Sequence, residues 1–431
     1  MFVKTMRDDK LSLLLTLIFS ALCLLTAYRS MSMIAEVLLF IVLGIVYFKK
    51  SSIKEELNQR EKLFIFAFIG FFVSALTSWI VGSGWELRSV RNPSMPSLID
   101  LDLPSKYLLG ALVFLLCVRL KWCLSPKVFG YAIGLGAMVN GCIAIYQHYQ
   151  LGYSRVYGWS GIAEMAEASA LLAVLNLVLF VFASCKKERI FYFVAIFLAC
   201  LACIFSGTRG SILGFVVTFL FVGVMIFWKK RELLPIFFVG VLAGGLAFVP
   251  SLTLEQRQDT MRFDSAENDL KQYMQGNAHT SIGMRFEMWK EAIVMFQMAP
   301  FFGLTSAEIE KKMPEILQRS GSALVGIKKA NPNNDARGKK HNQILNQAAK
   351  KGIVGVIALL LVWFASFRLF TPFLNTSGNS LIFSFCGVSI LFYLIFPSLV
   401  GEPWESNVTL PLVTLLICAF YKIQKGQKIG Y

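Results

Sequence analysis

His341 opens the stretch HNQILNQAAKKGIVG, residues 341–355, at the end of the one long polar insertion in an otherwise apolar chain. An ordinary imidazole titrates near pH 6.5, so the residue is a candidate proton acceptor at neutral pH. A capping or core histidine would have the same spacing. Arg209 lies in SGTRG, residues 206–210, where one apolar run turns directly into the next. Small neighbours leave its guanidinium nearly bare, the glycines let a ligand approach the backbone, and the planar fork matches phosphate oxygens. The bland alternative is a snorkelling arginine that marks a membrane surface. Arg285 opens the amphipathic stretch MRFEMWKEAIVMFQMA, residues 284–299, where helix dipole and backbone N–H groups also favour an anion. Its alternative is a solvated charge paired with Glu287 or Glu291.

The elements that position these groups follow from periodicity. On a continuous helix the eleven residues from His341 to Gly352 turn through about 1100° and rise roughly 16 Å, so His341, Gly352 and Gly355 share one face. Small residues there admit a neighbouring helix or lipid. The 284–299 helix is expected to place Trp289, Ala292, Ile293 and Phe296 on one face and to stop at Pro300 or soon after. A helix packed on the bundle and one lying in the membrane interface both fit that pattern.

Supplementary candidates are Arg88 and Arg91 in the loop 83–105, for phosphate, and Glu402 and Glu405 in GEPWESN, to orient His341 or an acceptor hydroxyl. Solvated loop arginines and turn carboxylates are the plain readings. The segment 321–340, rich in Gly, Asn, Pro and Lys, suits a mobile loop or lid. Loop 148–162 carries Tyr153, Arg155, Tyr157 and Trp159, whose ordinary explanation is a membrane-interface aromatic girdle.

The chain has 431 residues, 56% of them apolar, and a mean hydropathy of +0.62. Twelve runs are long enough to cross a hydrocarbon core of roughly 30 Å, beginning near 11–27 and 31–48 and ending with 352–370, 379–400 and 406–421. The expected fold is therefore all-α: a polytopic membrane protein with about twelve transmembrane helices and one large periplasmic helical loop. Its units are a transmembrane bundle over 1–250, a periplasmic module over 251–340 and a second transmembrane bundle over 341–431. If spans alternate, one side holds 21 of the 42 basic residues in short loops and tails against six opposite, which puts both termini in the cytoplasm.

The formal charge of +16 is then a matter of topology, and no nucleic-acid partner is needed to explain it. None of the nine cysteines lies between 251 and 340, so disulfides do not staple that segment. Cys200 and Cys203 sit in an apolar run without partner ligands. The chain contains no H-E-x-x-H, Walker or G-x-S-x-G motif, hence no metalloprotease or P-loop nucleotide site by motif. A site on the outer surface, beyond reach of cytoplasmic nucleotides, points to a substrate already activated on a lipid.

At His341, Asn342, nine residues, Gly352, two residues and Gly355, the chain resembles the bacterial O-antigen ligase family of membrane glycosyltransferases. SGTRG with Arg209, and Arg285 through Trp289 to Pro300 and Gly303, are similar to superfamily patterns in the same order. The resemblance implies transfer of O-antigen polysaccharide from undecaprenyl pyrophosphate to lipid A-core, at the periplasmic face of the bacterial inner membrane. It implies an inverting single displacement with no metal, cofactor or nucleotide. Arg209 and Arg285 would bind the pyrophosphate, and His341 would act as the base or orient the donor. An O-antigen polymerase, joining lipid-linked repeats, is the neighbouring enzyme reading. A glycan transporter is the reading from another class, but the charges cluster at the surface instead of lining spans.

Overall fold

A computed structural model of the chain describes residues 2–28, 31–49, 55–82, 98–250, 263–323 and 340–427. Among them all regular structure is helical, apart from an isolated bridge between Tyr28 and Trp159. The first half comprises α1 (Phe2–Leu24), α2 (Met31–Lys49), α3 (Gln59–Val81), α4 (Ile99–Arg119) and α5 (Pro126–Ile145), which ends in a wide turn, Tyr146–Gln150. Four helices follow: α6 (Ile162–Phe182), α7 (Lys186–Phe205), α8 (Arg209–Lys229) and α9 (Leu234–Leu246). The polar insertion contributes α10 (Phe263–Met274), α11 (Ser281–Met298) and α12 (Ser306–Ser320), and α13 (Gln343–Phe370), α14 (Gly378–Val400) and α15 (Thr409–Gln427) complete the chain.

Nine of the described helices are long and apolar enough to cross a membrane. Three of the twelve expected spans fall outside that set. The apolar part of α1 is Lys10–Leu24, and α9 has 13 residues, about 20 Å, short of the hydrocarbon thickness. Helix α15 is lengthened by a polar end that includes Lys422, Gln424 and Lys425.

Helix α6 forms the centre. Every residue from Met165 to Val181 is buried, in keeping with a sequence that is apolar on all sides. Ala166, Ala168, Ala170 and Ala173 let neighbouring backbones come close, which suits an interior held by van der Waals packing instead of hydrophobic exclusion. Among its few polar groups, Ser169 accepts from Asn140 at 3.1 Å, and Asn176 donates to the Leu172 carbonyl at 2.8 Å.

Helix α13 departs from expectation. It starts at Gln343, capped by the Asn342 side chain on the Leu345 N–H, so His341 precedes the helix. It is also broken at Gly352, whose φ of 63° and ψ of −159° are not helical. The expected shared face of His341, Gly352 and Gly355 therefore does not form. Gly352 instead meets the turn after α11: a Cβ there would lie 2.3 Å from the Phe301 backbone, and one at Gly303 would lie 2.2 Å from Lys351 N. The break frees backbone groups that the turn then satisfies, with Ile353 N–H donating to Pro300 O at 2.8 Å and Leu304 N–H to Ala349 O at 2.9 Å. Gly355 accommodates the displaced Lys351 side chain of its own helix. Two backbones locked in this way fix α11, which carries Arg285, against the helix that follows His341.

Candidate functional site

The turn between α7 and α8 spans three residues, and Arg209 is the first residue of α8. Gly210 does not open a path for a ligand; a Cβ there would collide with Val400, so it brings α8 against the end of α14. Helix α11 begins earlier than its apolar pattern suggests, because Thr280 caps it by accepting the Gly283 N–H at 3.0 Å. Arg285 thus stands one turn inside the helix and not at its opening, while Ser281 occupies the first position. The helix ends at Met298, before Pro300 as expected. It packs on α13 through Ala292 and Met295 and leaves Ile293 exposed, so it combines a packed face with an apolar outer one.

Arg209, Arg285 and His341 line one recess of about 310 Å³ at a common end of the bundle. Ser281, Glu402, Arg155, Glu164 and Glu167 share its wall. His341 is the one non-glycine residue with positive φ among the described residues, at 51°. The Glu402 carboxylate accepts its backbone N–H at 2.9 Å, and Asn342 anchors the next step by donating to Leu399 O at 3.2 Å. The cost of a left-handed conformation, about 1–2 kcal/mol, is offset by these clamps, and strain of this kind concentrates at functional sites.

The roots of the segment 324–339, which lies outside the described residues, are tied to α11. Glu291 accepts from Ser322 at 2.9 Å and pairs with buried Lys340 at 3.7 Å. Glu287 accepts from Ala323 N–H at 2.8 Å, Tyr273 at 2.8 Å and Lys290 at 2.7 Å. Burial alone would raise the Glu287 carboxyl, but these hydrogen bonds hold it below the usual carboxylate value. Arg88 and Arg91 lie outside the described residues.

Glu405 is placed elsewhere. It lines a second recess of about 220 Å³ together with Trp79, Asp100, Asp102, Lys350 and Lys351, and Glu402 borders this recess as well as the first. Burial pushes the Glu405 carboxyl up, but the Lys351 and Lys350 charges and hydrogen bonds from Lys351 and Gln347 outweigh it and hold the group at about 2. Lys351 donates to Glu405 at 2.7 Å and stands 4.5 Å over the Phe71 ring. A carboxyl depressed below its unfolded value stabilises the fold above about pH 4.5, and loses that contribution as pH falls toward 2. Thermal unfolding in detergent between pH 7 and pH 3 is expected to show this acid limb in the native chain and a flatter one in Glu405→Gln. Superimposable limbs would exclude Glu405 as its source.

Arg155, Glu164 and Glu167 were not among the candidates. The acids stand three residues apart where an apolar span begins, which reads as an ordinary helix start, yet a pair of carboxylates on one turn of a span is a signal. Glu167 is buried and accepts from Thr409 of α15. Arg155 donates through Nε to the Ser206 carbonyl at 2.8 Å, which joins its loop to the turn that presents Arg209. His148 is a core residue, stacked on Phe205 with Nδ1 3.0 Å from Tyr153 O.

Comparison with known proteins agrees with the resemblance seen in the sequence. Residues 193–360 match the O-antigen ligase family model. An uncharacterized protein of Haemophilus influenzae is 29% identical over 347 residues, 78% of this chain and 79% of the relative. An O-antigen ligase of Escherichia coli is 28% identical over 109 residues, 25% of this chain and 24% of that protein. The matched region contains Arg209, Arg285, His341, Gly352 and Gly355. The match and the helices together support a membrane O-antigen ligase or a related glycosyltransferase.

Proposed function

For this membrane chain with its O-antigen ligase-family region, we propose transfer of O-antigen polysaccharide from undecaprenyl pyrophosphate to a sugar hydroxyl of lipid A-core. The observation that carries the reading is the meeting of Arg209, Arg285 and His341, from three distant segments, in one recess. The recess faces the periplasm of the inner membrane, as the excess of Lys and Arg in the loops of the opposite side favours. Residues 251–340 are then a periplasmic module between two transmembrane bundles, 1–250 and 341–431.

The acceptor oxygen attacks the anomeric carbon as the bond from that carbon to the pyrophosphate oxygen breaks, which inverts the centre. The hydroxyl proton passes to the His341 imidazole. Charge grows on the departing pyrophosphate, and Arg209 and Arg285 are fixed cations where it grows. Glu402 holds the His341 backbone in place during this displacement.

Complementation of a ligase-deficient strain tests the proposal on a lipopolysaccharide gel. Long-chain lipopolysaccharide is expected with the native gene, and unligated lipid-linked polymer without it. A null strain that makes only single-repeat lipopolysaccharide, and accumulates no polymer, would instead identify a polymerase. Arg209→Lys is expected to lower transfer at least tenfold, because a point charge cannot reproduce the planar fork. Undiminished transfer in that variant would count against bidentate phosphate binding.

A further inference from the structure

Beside the recess, on the Arg155 side, the surface is crowded with aromatic rings. Tyr28, Tyr146, Tyr149, Tyr157 and Trp159 are 37%, 53%, 50%, 39% and 49% exposed, too open for core packing. Two pairs are already stacked: Tyr28 with Trp159, at 4.6 Å and 12° between planes, and Tyr153 with Tyr157, at 5.3 Å and 29°.

The loop 151–161, which carries Tyr153, Tyr157 and Trp159, has neither helix nor strand, yet its backbone is held at several points. Buried Gln147 accepts the N–H groups of Tyr157 and Gly158, both at 3.0 Å, and donates to Gly158 O at 2.7 Å. Val156 N–H donates to Phe205 O at 3.1 Å, and Trp159 N–H to Ala27 O at 3.0 Å. Rings on a braced backbone lose little freedom when they bind a ligand. Arg155 lies between Tyr153 and Tyr157 in sequence, lines the recess and bonds to the Arg209 turn.

We propose that Tyr28, Tyr157 and Trp159 form a stacking platform for the sugar rings of the lipid-linked donor glycan. Pyranose rings present apolar C–H faces flanked by hydroxyls, and Tyr and Trp offer flat apolar faces with a polar edge. Aromatic residues that served only to anchor the chain at a membrane interface would not need a backbone joined to the recess. The donor is the occupant, and not the acceptor, because the platform's loop bonds through Arg155 and Val156 to the segment that presents Arg209. The inference therefore rests on the reading of Arg209 as a pyrophosphate ligand.

The test uses the full chain in lipid nanodiscs, and as probe the lipid-free polysaccharide released by mild acid from the unligated lipid-linked polymer of a ligase-deficient strain. Saturation-transfer NMR is expected to detect binding that weakens at least tenfold in Tyr157→Ala with Trp159→Ala and is largely kept in Trp159→Phe. Equal affinity in all three proteins would overturn the platform. If the alanine protein does not fold, tryptophan emission decides. A change on adding polysaccharide is expected in the native chain and absent in Trp159→Phe, and the same change in both, or none in either, sinks the proposal. The probe carries no pyrophosphate and undergoes no transfer. A protein that binds it yet fails to complement a ligase-deficient strain would defeat the transferase reading alone; one that complements without binding it would defeat only the platform.

Discussion

Replacing His341 with alanine is expected to lower glycan transfer by about 100- to 10,000-fold, the range associated with a positioned general base. The measurement is long-chain lipopolysaccharide from a complemented ligase-deficient strain, with membrane levels of the variant checked by immunoblot. Two of the groups that hold this position act on the backbone and are kept in the variant: Glu402 accepts the residue 341 N–H, and Asn342 caps the following helix. Alanine keeps that N–H and pays a similar cost at φ 51°. A variant that reaches the membrane and ligates at the native rate would exclude the imidazole from proton transfer. If His341 only orients the donor, Gln in its place should restore much of the activity, whereas a base is not rescued by a group that cannot titrate at neutral pH.

Gly352→Ala is expected to destabilise the protein by on the order of 3 kcal/mol or more, and to lower transfer with it. The new methyl would stand 2.3 Å from Phe301 C and O, both backbone atoms that cannot rotate away, at a φ of 63° that alanine resists. Moving the turn to relieve the clash sacrifices the bonds from Ile353 to Pro300 and from Leu304 to Ala349, the second between buried residues and worth about 1–3 kcal/mol if left unmade. It also unseats α11 and displaces Arg285 from the recess. Gly70→Ala in α3 is the control, since a Cβ there meets nothing within 4 Å. Thermal unfolding in detergent should separate the two by several degrees. Equal midpoints would mean that the break in α13 is not what couples these segments.

Hydropathy made most of the helices legible, because a lipid solvent demands long apolar runs with every backbone group bonded internally. It failed where length and apolarity part company, as in the 13-residue α9. The Gly352 break was hidden for a different reason. Small residues spaced along a helix indicate close approach, and nothing local says whether a side chain or another backbone does the approaching. Arg285 was misplaced by one turn since the start of α11 is set by the Thr280 hydroxyl and not by its apolar stripe. Arg209, Arg285 and His341 stood out because isolated cations and an imidazole at the edges of apolar runs are costly there. Glu164, Glu167 and Arg155 did not stand out; their significance lies in what faces them across the recess, which periodicity does not encode. Glu405, equally visible in the sequence, proves to be engaged with Lys351 in the neighbouring recess.

Glu402 is the party wall between two chambers, one ringed by arginines and the other by acids and lysines. A single anionic group in that position cannot answer to one tenant alone. Any charge brought in on the arginine side alters the pull on the carboxylate, and through the His341 N–H that it grips, the tilt of the imidazole. Whatever enters the other chamber meets a partition already biased by its neighbour, so the two sides would fill as a linked pair and not as independent vessels.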